Sequence, residues 1–322
     1  RVHPTASEPA PDSRCLLSTT CRGDDMPPIF ELSLANLLPP ATLLTLVSGI
    51  WSLYFFLHLL PLLQLNTPLA HYDHEMARHG WRHFFVCQAL TALLLVSFFR
   101  ASLTMPGDVP EGEAWRFGTF KDPNITQEVK FSGERRRCKH CLIYKPDRCH
   151  HCRICKSCIL KMDHHCPWIM NCIGFRNHKY FFLLIIYSML CCAFIGVTVI
   201  GTILESLEQE MPVCQRFLLL LCFSTSSIMG GLLVVFAAFH VMLMLRGLTT
   251  IEFCEKMSIV TSGKSSKYDM GAYRNITAVF GPRPYLWFLP VDPPAGDGLR
   301  FAKPRGRSLA APRYLPHDPE WT

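Results

Sequence analysis

The 322-residue chain is 49% hydrophobic and only 18% charged, and its mean hydropathy of +0.19 is too apolar for an ordinary soluble protein of this size. Eight of its 16 cysteines crowd between Cys138 and Cys172, which excludes a secreted disulfide framework and points to metal in a reducing compartment. The formal net charge of +7 is unevenly spread, and that asymmetry orients the chain.

The chain opens on Arg1 rather than Met, as a fragment or processed form does, and its first 40 residues lack the charged-then-apolar pattern of a signal peptide. Residues 1–40 are read as a disordered cytosolic N-terminal segment. Four apolar stretches follow, at 41–63, 83–104, 180–203 and 216–245. Each is long enough for the roughly 30 Å hydrocarbon core, which takes about 20 helical residues. The expected fold is therefore an all-α membrane protein: four transmembrane helices, with a cytosolic cysteine-rich domain between helices 2 and 3. Arg100 is the one charge well inside a span, close enough to its end to snorkel.

Lys and Arg number fourteen in the connection at 105–179 and eleven after residue 245, whereas the other two connections carry only Arg78 and Arg82. The positive-inside rule places the long connection and both termini in the cytosol. The sequons at Asn124 and Asn275 are then on the wrong side for glycosylation. Residues 246–290 form a cytosolic C-terminal segment, and the Pro- and Arg-rich stretch 291–322 is read as a disordered tail.

The long connection carries the chemistry. Cys138-x2-Cys141 is followed by His150, His151, Cys152-x2-Cys155-x2-Cys158, then His164, His165, Cys166 and Cys172. Paired thiols with following histidines are a strong zinc signal, and a segment so poor in large apolar residues needs metal to fold. Two closed tetrahedral sites take eight ligands, while eight cysteines and five histidines are on offer. If both sites are Cys3His, two cysteines remain, and metals with four protein ligands hold the loop rather than act as Lewis acids. Cys166 follows His164 by two residues and Asp163 by three, so one local turn can supply nucleophile, base and base-orienting carboxylate. Spacing alone leaves the reverse open, with Cys166 a ligand and Cys172 the spare thiol.

The block from Cys138 to Phe181, with Asp163-His164-His165-Cys166 at its centre, resembles the cysteine-rich domain of the DHHC family of protein S-acyltransferases, or palmitoyltransferases. The four-span layout is similar too. The resemblance implies one zinc on Cys138, Cys141, His151 and Cys158, a second on Cys152, Cys155, His165 and Cys172, and Cys166 as nucleophile. It implies that Asp163 orients His164, that His164 takes the thiol proton, and that Cys166 carries a palmitoyl group from acyl-CoA to cysteines of membrane-associated substrate proteins. Partners are then those proteins, acyl-CoA and membrane lipid, with no nucleic acid, in an endomembrane (Golgi or ER) or the plasma membrane. Cys149 is left spare.

Trp168 favours the membrane interface. Phe181, Leu184, Ser188 and Cys191 recur at helical spacing and fit either an acyl cavity, as similar positions do in the family, or plain helix packing. Arg135, Arg136 and Arg137 fit a solvated basic run better than a contact to CoA phosphates or anionic lipid, and Lys145 and Arg148 are expected to position the zinc knuckle. Thr249-Thr250-Ile251-Glu252 matches the family's TTxE motif, which packs near the active site. Residues 273–291 resemble its C-terminal motif, with Asn275 at the characteristic asparagine. Departures are Met105-Pro106-Gly107 for DPG, Gly247 for an asparagine before TTxE, and Met170-Asn171-Cys172 where two asparagines are common. The competing reading is a zinc-stabilised, non-catalytic membrane scaffold. A transporter is disfavoured, since no span carries a run of charge or a Gly/Pro break.

Overall fold

The computed structural model describes residues 34–302 apart from 66, 117–125, 131, 209, 256–265 and 293. The stretch 1–28, the Asn124 sequon and residues 303–322 lie outside the described residues. Four helical spans are long and apolar enough to cross a membrane among the described residues. The first joins α1 (Leu34–Tyr54), a π turn (Phe55–Leu59) and α2 (Leu60–Leu63). The others are α3 (His74–Leu103), α4 (His178–Glu208) and α5 (Val213–Leu245). The protein is mostly helical, as expected, but the helices outrun their apolar stretches. α3 starts at His74 because Asp73 caps it, its Oδ1 accepting from the Glu75 and Met76 amides at 2.9 and 3.2 Å. Arg78 and Arg82 therefore lie on α3 and not in a loop. α1 begins at Leu34, which corrects the expectation of disorder through residue 40, and passes through Pro39 and Pro40, its sixth and seventh residues, where each gives up an i→i−4 bond just past the first turn.

α4 is the hub and packs against both α3 and α5. Its N-terminal part, from Tyr180 to Tyr187, is nearly continuously buried and shares one core with Leu94 and Phe98 of α3 and with Cys166, Ile169 and Ile173 of the loop. The cysteine-rich domain and the bundle are thus one packed body at their junction. Elsewhere, apolar side chains such as Val197 and Val235 are exposed, as lipid-facing positions must be.

The loop folds as three short antiparallel hairpins: β1 (Arg137–Cys138) with β2 (Ile143–Tyr144), β3 (His150–Cys152) with β4 (Ser157–Ile159), and β5 (His164–Cys166) with β6 (Asn171–Ile173). Asparagines tie it to the bundle. Asn171 Nδ2 donates to the carbonyls of Ala101, Ser102 and Thr104, and Asn177 Nδ2 to those of Ala101 and Cys172. The last carbonyls of α3, which no helical N–H reaches, are satisfied by the loop itself.

Beyond α5, α6 (Thr250–Glu255) and α7 (Ala272–Phe280) return along the domain. The expectation of disorder from residue 291 is corrected by this segment, which is docked through 302. Gly298, at φ 73°, lies so close to Phe175 that a Cβ would come within 2.8 Å of its ring, and the Phe301 ring sits 5.7 Å from that of Tyr268. Composition suggested a tail, but a few aromatic and glycine contacts suffice to seat it.

Candidate active site and metal centres

Strand alternation explains how adjacent residues serve different sites. Side chains two apart share a face of a strand and neighbours oppose each other. In β3, His151 pairs with Cys158 while Cys152 turns away. In β5, His165 pairs with Cys172, and His164 and Cys166 project together to the other side. Each Cys-x2-Cys pair closes a knuckle in which the second amide donates to the first sulfur, Cys141 N to Cys138 Sγ at 3.4 Å and Cys155 N to Cys152 Sγ at 3.3 Å. The next residue, Leu142 or Lys156, is left-handed, which turns the chain back into the hairpin.

Two groups result: Cys138, Cys141, His151 and Cys158, and Cys152, Cys155, His165 and Cys172, each with ligand atoms within 4.8 Å of one another. In the second, His165 Nδ1 lies 3.7, 3.4 and 3.6 Å from the sulfurs of Cys152, Cys155 and Cys172. Metal–ligand bonds of about 2.3 Å for sulfur and about 2.0 Å for nitrogen make tetrahedral edges of roughly 3.5 to 3.8 Å, so the groups fit a four-coordinate metal with no position left open. Cys149 stays outside both, fully buried against Cys138 and Cys158.

On the opposite face of β5, His164 Nδ1 lies 2.7 Å from Asp163 Oδ2. An ionised carboxylate only accepts, so Nδ1 carries the proton and Nε2 is left for Cys166. Asp163 is buried and doubly held by α6: the Thr250 amide donates to Oδ1 at 2.9 Å and its hydroxyl to Oδ2 at 2.8 Å. His178 Nε2 stands 3.9 Å from Oδ1. Burial pushes the Asp163 carboxyl up, but the His164 hydrogen bond, the neighbouring His178 and the Thr250 amide hold it well below the usual carboxylate range. Burial likewise lowers His164, yet its hydrogen bonds to Asp163 and Cys166 lift it to about 9. The arrangement can take a proton from the Cys166 thiol and keep the imidazolium paired.

The sequence reading missed what anchors α6. Arg148, expected to position the knuckle, instead reaches across the domain: Nε and Nη2 donate to the Glu252 carboxylate at 2.7 and 2.8 Å, and Nη2 to the Gly247 carbonyl at 3.0 Å. Both side chains are buried. The only signal was the motif itself, whose Glu252 sits two residues past Thr250. Asn275 is buried and spent on the Leu245 carbonyl, Asp269 and the Met270 amide, so it has no surface to offer a glycan. Arg135 stacks 4.3 Å from the Tyr144 ring centroid, and Arg136 pairs with Glu128; both are engaged within the domain.

The four positions picked on the third span part company. Ser188 and Cys191 line a narrow, apolar cleft between α1, α3, α4 and α5 with a cavity volume of about 90 Å³. Phe181 and Leu184 are buried in the core outside its lining, with the Phe181 ring edge-on to His164 at 5.1 Å. Trp168, next but one to Cys166, is half exposed. His240 of α5, which sequence reasoning passed over, stands 5.8 Å from His164, ring to ring.

Residues 132–257 match the model of the DHHC palmitoyltransferase family. The chain is 40% identical to human palmitoyltransferase ZDHHC15 over 173 residues, 53% of this chain and 51% of that protein. It is 38% identical to zebrafish (Danio rerio) palmitoyltransferase ZDHHC2 over 171 residues, 53% of this chain and 47% of that protein. The chain thus spans about half the length of the curated relatives it matches. The matched segment holds both four-residue metal groups and the Asp163-His164-His165-Cys166 turn, and it is over this segment that the chain is similar to the DHHC palmitoyltransferases.

Proposed function

We propose that this protein is an integral-membrane S-acyltransferase that carries a long acyl group, palmitoyl above all, from acyl-CoA to cysteines of membrane-associated proteins through a thioester on Cys166. The observation that carries this reading is the geometry of β5: His164 and Cys166 share one face, Asp163 fixes the imidazole at 2.7 Å, and the eight metal-binding side chains are all spoken for elsewhere.

His164 Nε2 takes the Cys166 proton, and the thiolate attacks the thioester carbonyl of the acyl-CoA. As the carbon–sulfur bond to CoA breaks, His164 returns the proton to the departing CoA sulfur. A substrate cysteine then attacks acyl-Cys166, giving its proton to His164, which delivers it to the Cys166 sulfur as the thiol is regenerated. One thioester replaces another at each step, so the chain needs no energy source beyond the donor. The two Cys3His sets suit zinc, which would hold β5 and β6 together around Cys166 when bound.

The cleft lined by Ser188 and Cys191 suits the acyl chain, each buried methylene being worth roughly 0.8 kcal/mol, while Trp168 marks the membrane surface where CoA stays in water. The excess of Lys and Arg at 105–179 and after 245 supports a cytosolic loop and cytosolic termini, a topology shared by Golgi, ER and plasma membranes. To test this, the purified protein is incubated with clickable palmitoyl-CoA. A hydroxylamine-labile label on wild type, absent from Cys166→Ser with two zinc ions retained, is expected. No label on folded, zinc-loaded wild type would leave a scaffold instead.

A further inference from the structure

Between the metal-binding domain, α7 and the docked segment 294–302 lies a second cavity, with a volume of about 240 Å³. Four cations line it, Arg148, Lys161, Arg274 and Arg300, and no carboxylate does. Arg148 is neutralised by Glu252. The Asp269 carboxylate is taken up by Asn275 and the Gly271 amide, and that of Asp297 by the Leu299 and Arg300 amides.

Lys161 is the telling residue. Its side chain is 95% buried, by the 5% exposure of the residue, and its three ammonium donors share one contact, a 3.4 Å bond to the Ala278 carbonyl. A buried lysine is expected to be paired. Burial and the neighbouring Arg148 pull it down to about 7, more than Glu252 and Asp163, which are spent on Arg148 and on His164 and Thr250, lift it. Arg274 and Arg300 add exposed guanidinium groups at the same cavity, and such forks suit phosphate oxygens.

We propose that this cavity is a binding site for a phosphomonoester, presented either by a membrane-lipid headgroup such as phosphatidic acid or by a soluble phosphate ester, and that it is separate from the acyl-donor site. The separation is visible in the linings: none of Asp163, His164 and Cys166 borders the cavity, and it shares no residue with the cleft between the spans. A lipid source is favoured by the surroundings. Tyr273, next to Arg274 on α7, and Tyr285 and Phe288 just beyond it are exposed aromatics, which places this side of the domain at headgroup level. The site also adjoins the Arg148–Glu252 pair that anchors α6 and, through Thr250, Asp163, so occupancy would reinforce the support of the catalytic turn.

The test uses the full chain in phosphatidylcholine nanodiscs, alone, with phosphatidic acid, or with phosphatidylserine, which lacks a phosphomonoester, and with soluble glycerol phosphate added to the first. Thermal stabilisation and native mass spectrometry read binding. Stabilisation by phosphatidic acid but not phosphatidylserine is expected, reduced roughly tenfold in apparent affinity by Lys161→Met and by the surface double variant Arg274→Ala/Arg300→Ala, since hydrogen bonds to charged groups carry about that much. Equal stabilisation by glycerol phosphate would assign the soluble source. Equal response to both lipids, or unchanged binding in the double variant, would overturn the proposal. None of these readouts depends on acyl transfer, so failure here is distinguishable from failure of the enzymatic reading.

Discussion

The metal-binding loop and the inter-helix cleft are built on opposite rules. In the loop, position is set by valence: six cysteines and two histidines take their places in two groups, and Asp163, Arg148, Glu252, Asn171 and Asn177 have named partners at hydrogen-bond distance. In the cleft, position is set by apolar packing that tolerates exchange of one side chain for another. On the proposed function, chemistry that needs sub-ångström placement falls in the first region, and room for the acyl chain in the second.

The widest difference should appear on removing a metal ligand. Cys172→Ala is expected to lose the second metal and melt β5 and β6, because structural zinc supplies on the order of 10 kcal/mol of folding free energy; metal content and circular dichroism would report it. Glu252→Gln comes next. It leaves Arg148 buried without its countercharge, and such breaks cost about 3 to 5 kcal/mol. A matching fall in thermal stability, with slower acylation as α6 releases Asp163, is the expected outcome.

In the cleft, Cys191→Phe should spare metal content and fold while shifting preference toward shorter chains. Two methylenes that no longer fit amount to roughly a tenfold change at about 0.8 kcal/mol each, which palmitoyl-CoA and myristoyl-CoA in competition would measure. The smallest effect is at Glu128. Burial raises this carboxyl, but Arg136, the Arg148 amide and Lys267 bring it down to about 2. A depressed carboxylate stabilises the fold above its unfolded value near 4.3 and loses that contribution as pH falls toward 2. Glu128→Gln should therefore lower stability modestly at neutral pH, flatten the acid limb of stability against pH, and converge with wild type as pH falls toward 2.

The same contrast governs how much could be read from the sequence. Ligand spacing announced two metal sites and two cysteines to spare, but which cysteines were spare, and how the ligands divide, came from the family resemblance, because spacing alone left Cys166 and Cys172 interchangeable; the four spans were plain from length and apolarity. Helical spacing carried only half of its four cleft positions: Ser188 and Cys191 line the cleft, whereas Phe181 turns under His164. A period of 3.6 identifies a face but not what lies opposite it. The Arg148–Glu252 pair was invisible for another reason, since its partners are 104 residues apart and a charge in a turn looks solvated until the fold closes over it. The docking of residues 294–302 was hidden likewise by a composition typical of tails.

The most direct test of the metal-framed triad is the single-turnover rate of Cys166 acylation by palmitoyl-CoA, followed by intact-protein mass, in wild type and His164→Gln with both metals counted. The account predicts an acyl adduct on wild type and a fall of roughly 10² to 10⁴ in rate for the variant, with metal content unchanged. An equal rate in the two proteins would contradict it, because Cys166 would then not need the base that Asp163 and Thr250 hold in place.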